Sequence, residues 1–170
     1  MALKQNPTPY IENILTRTEY RNFEILLVDN GSDKAEVLEY LDGLKRRNNI
    51  RVLRDDHPFN FSALNNAAVA KAEAEFVLLL NNDVAVISPN WLGEMVAVAS
   101  RPGIGAVGAR LWFPDDTLQH GGVLLGLDDV AGHAHLGLKR YNAGYCGRAS
   151  LMQSMSAVTA ACLLIRQSPS

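Results

Sequence analysis

Cysteine is scarce in this chain: among 170 residues only Cys146 and Cys162 occur, too few and too far apart for a disulfide framework or a zinc site. Cys162, inside an apolar run, is expected to be a small core residue. No apolar run approaches the roughly 20 residues that a membrane helix needs. Residues 1–6, Met-Ala-Leu-Lys-Gln-Asn, lack the make-up of a signal peptide. The expected location is cytoplasmic, with any membrane association carried by the rest of the protein. Positive charge is also in short supply. Lys and Arg number 16 against 18 Asp and Glu, a formal net charge of -2, which leaves no basic field for nucleic acid. The basic run Lys45-Arg46-Arg47 reads as a solvated helix end. Both common phosphate-binding loops are absent: no Gly-x-Gly-x-x-Gly opens a helix after a strand, and no Gly-Lys-Ser/Thr occurs.

What is present is the composition of an ordinary globular protein, 48% hydrophobic and 20% charged. The length suits a single domain with a substantial core. Its centre is Phe76-Val77-Leu78-Leu79-Leu80, an apolar run too short for a helix, followed abruptly by Asn81-Asn82-Asp83. Such a run reads as a strand buried on both faces, of the kind found inside parallel sheets. Around it the pattern predicts a helix over residues 9–18 with Thr8 as N-cap and Pro9 first, a strand over 23–28, and a helix over 34–47. A strand over 50–53, a helix over 62–72 with Leu64, Ala67, Ala68 and Ala72 toward the sheet, and a helix opened by Ser88-Pro89 complete this half. The alternation means a doubly wound α/β unit with helices on both faces of a mostly parallel sheet. The second half differs. Residues 104–111 and 121–127 read as strands joined by the turn Pro114-Asp115-Asp116, a mixed-sheet extension. Residues 128–155 form a long irregular segment, and 158–165 a final buried strand.

Ligands of open α/β sheets sit beyond the carboxyl ends of the strands, which is where Asp29 and Asp83 fall, at one edge of one parallel sheet. An acidic residue after one strand can take hydrogen bonds from a ribose or base, and one after a more distant strand can set a metal against a diphosphate. Together they suggest a nucleotide. With neither glycine loop present, a metal must meet the phosphate charge. The bland reading of Asn81-Asn82-Asp83, a strand cap and turn, stands beside this one.

In order and spacing, Val28-Asp29-Asn30-Gly31-Ser32, Asn60-Phe61-Ser62-Ala63-Leu64-Asn65-Asn66, Leu79-Leu80-Asn81-Asn82-Asp83, Trp91-Leu92 and Gly105-Ala106-Val107-Gly108 resemble family 2 glycosyltransferases of the GT-A fold. Gln119-His120-Gly121-Gly122, Gly132-His133-Ala134-His135 and residues 157–162 look like a bacterial subgroup acting on polysaccharide or lipid-linked glycans. The resemblance implies a nucleotide-sugar-binding half, residues 1–100, and an incomplete acceptor-side half, residues 101–170. It implies that Asp29, Asn30, Ser32, Asn60, Asn66, Asn81, Asn82 and Asp83 surround a nucleotide-diphosphate sugar. Asn81-Asn82-Asp83 matches the Asp-x-Asp motif with Asn for the first Asp, which leaves Asp83 as the ligand of Mg²⁺ or Mn²⁺. The reaction implied is inverting transfer of a sugar to a glycan or lipid-linked hydroxyl, with the catalytic base expected beyond Ser170 and the fragment inactive by itself. Because nothing apolar precedes the helix over 9–18, a first strand is expected to be missing, whose slot residues 1–6, a shifted strand or a second copy of the chain would fill.

The histidines carry three readings: structural hydrogen bonding, an acceptor-side role for His120, His133 and His135, and a His133-x-His135 metal site for which no third ligand is obvious. His57 reads as solvated, and Trp91 as core. Trp112 and Phe113 read as packing or as acceptor-side lining. Two other functions compete with sugar transfer: a non-catalytic nucleotide-binding or interaction module of the same fold, and a methyltransferase or dehydrogenase, against which the absent glycine fingerprint argues.

Overall fold

The computed structural model describes residues 8–126 and 130–167. The first half alternates as its periodicity predicts, with α1 at Thr8–Arg17, β1 at Ile25–Asp29, α2 at Ala35–Leu44, β2 at Ile50–Arg54, α3 at Phe61–Val69, β3 at Phe76–Leu80 and α4 at Trp91–Ala99. Short strands follow: β4 at Ala106–Gly108, β5 at Leu111–Trp112, β6 at Leu118–His120, β7 at Val123–Leu125 and β8 at Ala131–His133. A 3₁₀ turn, Tyr145–Gly147, and the last strand, β9 at Cys162–Arg166, complete the chain. The segment between β8 and β9 is otherwise irregular, as its glycines and weak periodicity suggest.

β1 and β2 pair in parallel, Ile25 opposite Ile50 and Asp29 opposite Arg54. Ile25, Leu27, Val37, Tyr40 and Val52 pack around a core of Ile11, Leu41, Leu44 and Ile50, which seats α1 and α2 against this pair. The second sheet runs β3-β9-β4. Met95 and Ala99 of α4 meet Cys162 and Leu164 of β9 there, with Phe76, Leu78 and Leu80 of β3 packed alongside. Cys162 is a buried core residue, as expected, and burial pushes its thiol up to about 12. Trp91 is also core: it packs in this cluster and donates its indole N–H to Thr18 Oγ1 at 3.0 Å.

Three expectations need correction. β3 does not sit in a parallel sheet, because both β3 and β4 pair antiparallel with β9, so parallel pairing is confined to β1–β2 among the described residues. An apolar run reports burial and carries no sign of strand direction, which is why the sequence misleads here. Asp29 and Asp83 consequently do not share one described sheet, since β1 and β3 fall in separate ones. The turn at 114–116 does join a hairpin, but of β5 and β6, while β4 leaves for β9. Gly108 permits that departure: a Cβ built on it would stand 2.6 Å from Cβ of Val158. Among smaller differences, Ala67 is exposed, Ala72 lies past the end of α3, and residues 158–161 precede β9 without belonging to it.

Among the described residues no strand pairs with the second edge of β1 or of β3. Residues 1–6, expected to fill such a slot, lie outside the described residues. The two sheets are tied through α1 instead. Asn13 Oδ1 accepts from the Val86 N–H at 2.6 Å, Arg17 donates to the Val86 carbonyl at 3.1 Å, and the Glu19 N–H donates to the Pro89 carbonyl at 2.9 Å.

Candidate functional site

The first part of the site is the end of β1. Asp29 is buried, 2% exposed, and accepts from the Ser32 N–H at 3.1 Å through Oδ1 and from Arg54 Nη1 at 2.6 Å through Oδ2. Gly31 makes the intervening turn with φ +74, a conformation that costs a residue with Cβ. Burial opposes ionisation of Asp29, yet the bonds from Ser32 and Arg54 outweigh it and hold the carboxyl below its usual range. Arg54 also donates to the Ser32 carbonyl at 2.7 Å and to Asp56 at 2.6 Å. Sequence reasoning missed Arg54. A signal existed, since two parallel strands of equal length starting at Ile25 and Ile50 bring Asp29 level with Arg54.

Asn30 donates through one amide nitrogen to the carbonyls of Asp55 at 3.0 Å and His57 at 2.9 Å, so it fixes the 55–57 loop beside Asp29. His57 itself is exposed, with its ring against Asp55. Asn60 caps α3, its side chain accepting from the Ala63 N–H at 3.0 Å, and Asn66 is exposed on that helix. A cleft of about 290 Å³ opens between α2 and β1–β2, lined by Asp29, Asp42, Lys45 and Arg54 among others. It contains none of residues 81–83.

The second part is the end of β3. The Asn81 N–H donates to the Ala161 carbonyl at 2.9 Å, which seats the turn against the segment entering β9. Asn82 Oδ1 is buried with no hydrogen-bond partner among the described residues, and Asp83 is exposed. A buried acceptor without a donor costs about 1–3 kcal/mol, so the orphaned oxygen of Asn82, next in sequence to the Asp83 carboxylate, leaves an acceptor open to a cation or donor. Both are hard oxygen ligands of the type that holds Mg²⁺ or Mn²⁺. The residues fit such an ion, bound by one carboxylate and completed by ligand phosphates and water. Among the described residues no group of three or more His, Cys, Asp or Glu forms a site of protein ligands alone.

The third part lies in the second half. His120 on β6 is 1% exposed, and its Nδ1 stands 2.9 Å from Nδ1 of His133 on β8, the rings nearly perpendicular. His133 and His135 do not form an extended pair: β8 ends at His133, and His135 turns away with φ +60. Trp112 lies between Arg110 and Arg140, each guanidinium carbon 5.1 Å from the ring centroid, and Arg140 pairs with Asp116 at 2.8 Å. Phe113, Tyr141 and Tyr145 are exposed.

The fold agrees with a solved structure, and the sequence with two relatives and a family model. The solved mannosyltransferase PcManGT of Pyrobaculum calidifontis, in complex with GDP-Man and Mn²⁺, superposes with a TM-score of 0.56 at 18% identity, over 66% of this chain and 34% of that one. The O-antigen biosynthesis protein RfbC of Myxococcus xanthus is 39% identical over 158 residues, 92% of this chain and 12% of its own length. The protein y4gI of Sinorhizobium fredii is 56% identical over 160 residues, 92% of this chain and 17% of its own. The chain thus spans less than a fifth of the length of these two relatives. The family model described as Glycosyl transferase family 2 matches residues 8–163, and with that coverage the chain belongs to this family and carries its GT-A type of α/β fold.

Proposed function

We propose that this domain binds a nucleotide-diphosphate sugar and serves its transfer, with inversion, to a hydroxyl of a glycan or lipid-linked acceptor. The observation that carries the reading is the end of β3, where exposed Asp83 follows Asn82, whose buried Oδ1 has no hydrogen-bond partner among the described residues. A divalent cation bound there, Mg²⁺ or Mn²⁺, would offset the charge gathering on the departing nucleoside diphosphate. In this reading Asp83 holds the cation and Asn82 supplies a second oxygen. Asp29 keeps its charge at neutral pH, and with Asn30 and Ser32 it orders the end of β1 that receives base and ribose. Asn60 and Asn66 border the same space from α3, and Asn81 fixes the turn. Residues 1–100 make the donor half and 101–170 the acceptor half, where His120, His133 and His135 lie.

The names of the relatives support the class of substrate. RfbC is an O-antigen biosynthesis protein, and PcManGT is a mannosyltransferase seen with GDP-Man and Mn²⁺. In this reading the donor is a hexosyl or deoxyhexosyl nucleotide and the acceptor a bacterial glycan. No described helix is long and apolar enough to cross a membrane.

Calorimetric titration with UDP, dTDP and GDP, each with and without Mn²⁺, tests the reading. Binding of one nucleotide that needs Mn²⁺ and is lost in Asp83→Ala is the expected result. Binding indifferent to both, or no binding of any of the three, overturns it. Metal-dependent binding without transfer by the full-length protein would instead favour a binding module of the same fold.

A further inference from the structure

His120 is buried on every side, and both of its ring nitrogens face a partner. The Thr159 N–H lies 3.4 Å from Nε2, and Nδ1 of His133 lies 2.9 Å from Nδ1. A backbone N–H can only donate, so Nε2 must accept and carries no proton. The proton of the neutral ring is then on Nδ1, which donates to His133 Nδ1. That nitrogen must in turn be bare, which places the proton of His133 on its Nε2. One backbone amide thereby sets the tautomers of two rings. Burial, reinforced by the neighbouring His133, pushes His120 down to about 4, so the ring is neutral at physiological pH and keeps this arrangement.

The segment that Thr159 belongs to leads directly to the turn at the end of β3. Thr159 Oγ1 accepts from the Ala161 N–H at 3.3 Å, and the Ala161 carbonyl accepts from the Asn81 N–H at 2.9 Å. On the other side Ala157 and Val123 exchange backbone bonds at 2.9 and 3.3 Å. Residues 157–161 therefore run as a strap, fastened to β7 at one end and to Asn81 at the other. Packing leaves the strap little slack, since Gly108 admits Val158 only because it has no Cβ.

We propose that His120 is a positioning residue of the donor site: anchored by His133, it holds the strap at Thr159 and through Ala161 fixes Asn81 and the turn that presents Asn82 and Asp83. This rests on the donor-site reading of Asn82 and Asp83, but the hydrogen-bond order it specifies does not. The strap is a small lever. Removal of the His120 acceptor orphans a part-buried N–H, and the least costly relief is movement of the strap toward solvent. Outer residues that orient metal ligands typically change affinity by about 10- to 100-fold when replaced.

Two replacements separate the two bonds. Gln at position 120 keeps an oxygen near the place of Nε2 and can still accept from Thr159. Asn keeps an amide nitrogen near the place of Nδ1 and can donate to His133, but it leaves Thr159 bare. On the whole chain, ¹⁵N spectra of the imidazoles should show His120 protonated at Nδ1 and His133 at Nε2 near pH 7. The opposite tautomers overturn the proposal. Amide exchange at Asn81 and Thr159 should stay slow in His120→Gln and quicken by about tenfold or more in His120→Asn. In titrations with Mn²⁺ and UDP, dTDP or GDP, affinity should survive in His120→Gln and fall by about tenfold in His120→Asn, with similar melting temperatures for the two. Equal behaviour of the two variants in exchange overturns the proposal and leaves His120 a core residue. If the wild-type chain binds none of the nucleotides, the donor-site reading fails by itself, while tautomer and exchange still decide the role of His120.

Discussion

Arg54 and Asp29 are register partners across the parallel pair β1–β2, and their side chains meet at 2.6 Å with the carboxylate buried and the guanidinium partly exposed. Asp29→Asn keeps the shape and loses the charge. It should lower stability by about 2 kcal/mol at pH 7, the value of a charged hydrogen bond. Because the folded carboxyl titrates below its ordinary 3.8, its contribution is present above that pH and is lost as pH falls through the folded value. Denaturation midpoints of wild type and Asp29→Asn should therefore converge in acid. A gap that persists unchanged at pH 2 would contradict the ion-pair account.

His120 gives a pH dependence of the same direction in a higher window. Its folded value of about 4 lies below the ordinary 6.5, so the unfolded chain binds the extra proton first. Stability should fall as pH drops from about 6.5 toward 4, by up to about 3 kcal/mol at roughly 1.4 kcal/mol per pH unit. His120→Gln should remove that slope. Urea midpoints measured between pH 4 and 7 will show it, and a flat wild-type profile would refute it.

Cys146 is exposed and Cys162 buried, with a thiol that burial holds protonated to about 12. A thiol reagent at pH 8 should label one cysteine in the folded chain and both after denaturation. Rapid labelling of Cys162 in the folded state would mean that the β3-β9-β4 core opens far more often than its packing implies.

Trp91→Phe removes the indole donor from Thr18, whose side chain is fully buried. The cost should be about 1–2 kcal/mol, seen as a lower melting temperature. Asp83→Ala, at an exposed position, should change stability by less than about 0.5 kcal/mol. That contrast keeps any loss of nucleotide binding in Asp83→Ala from being read as unfolding.

How far the sequence could be read followed from the kind of information each feature needs. α2 and β3 were legible because burial imprints a period on the residues themselves: Leu41 and Leu44 fall on the packed face of α2, and β3 was bounded at Phe76 and Leu80 by polar neighbours. Strand direction leaves no such imprint, so the antiparallel partner of β3 was missed. Asp29, Asn82 and Asp83 stood out as polar groups at strand ends. Arg54 and the pairing of His120 with His133 did not, because each depends on register between segments 25 and 13 residues apart in sequence. Asn30 and Asn60 were singled out only through the resemblance. That their side chains serve Asp55, His57 and Ala63 emerges only from the backbone around them.

The clasp between α1 and residues 86–91 has a mechanical consequence. By packing α1 belongs with β1–β2, yet its C-terminal end carries the bonds to the β3–α4 connection, and no described ladder joins β1 to β3. The α1 terminus is thus one of the ties between the Asp29 end and the Asp83 end, where a ladder would have imposed a fixed pitch. A ligand lying across both ends would load the two sheets in series through Asn13, Arg17 and Thr18. Tension at that clasp and binding of such a ligand then become two readings of a single equilibrium.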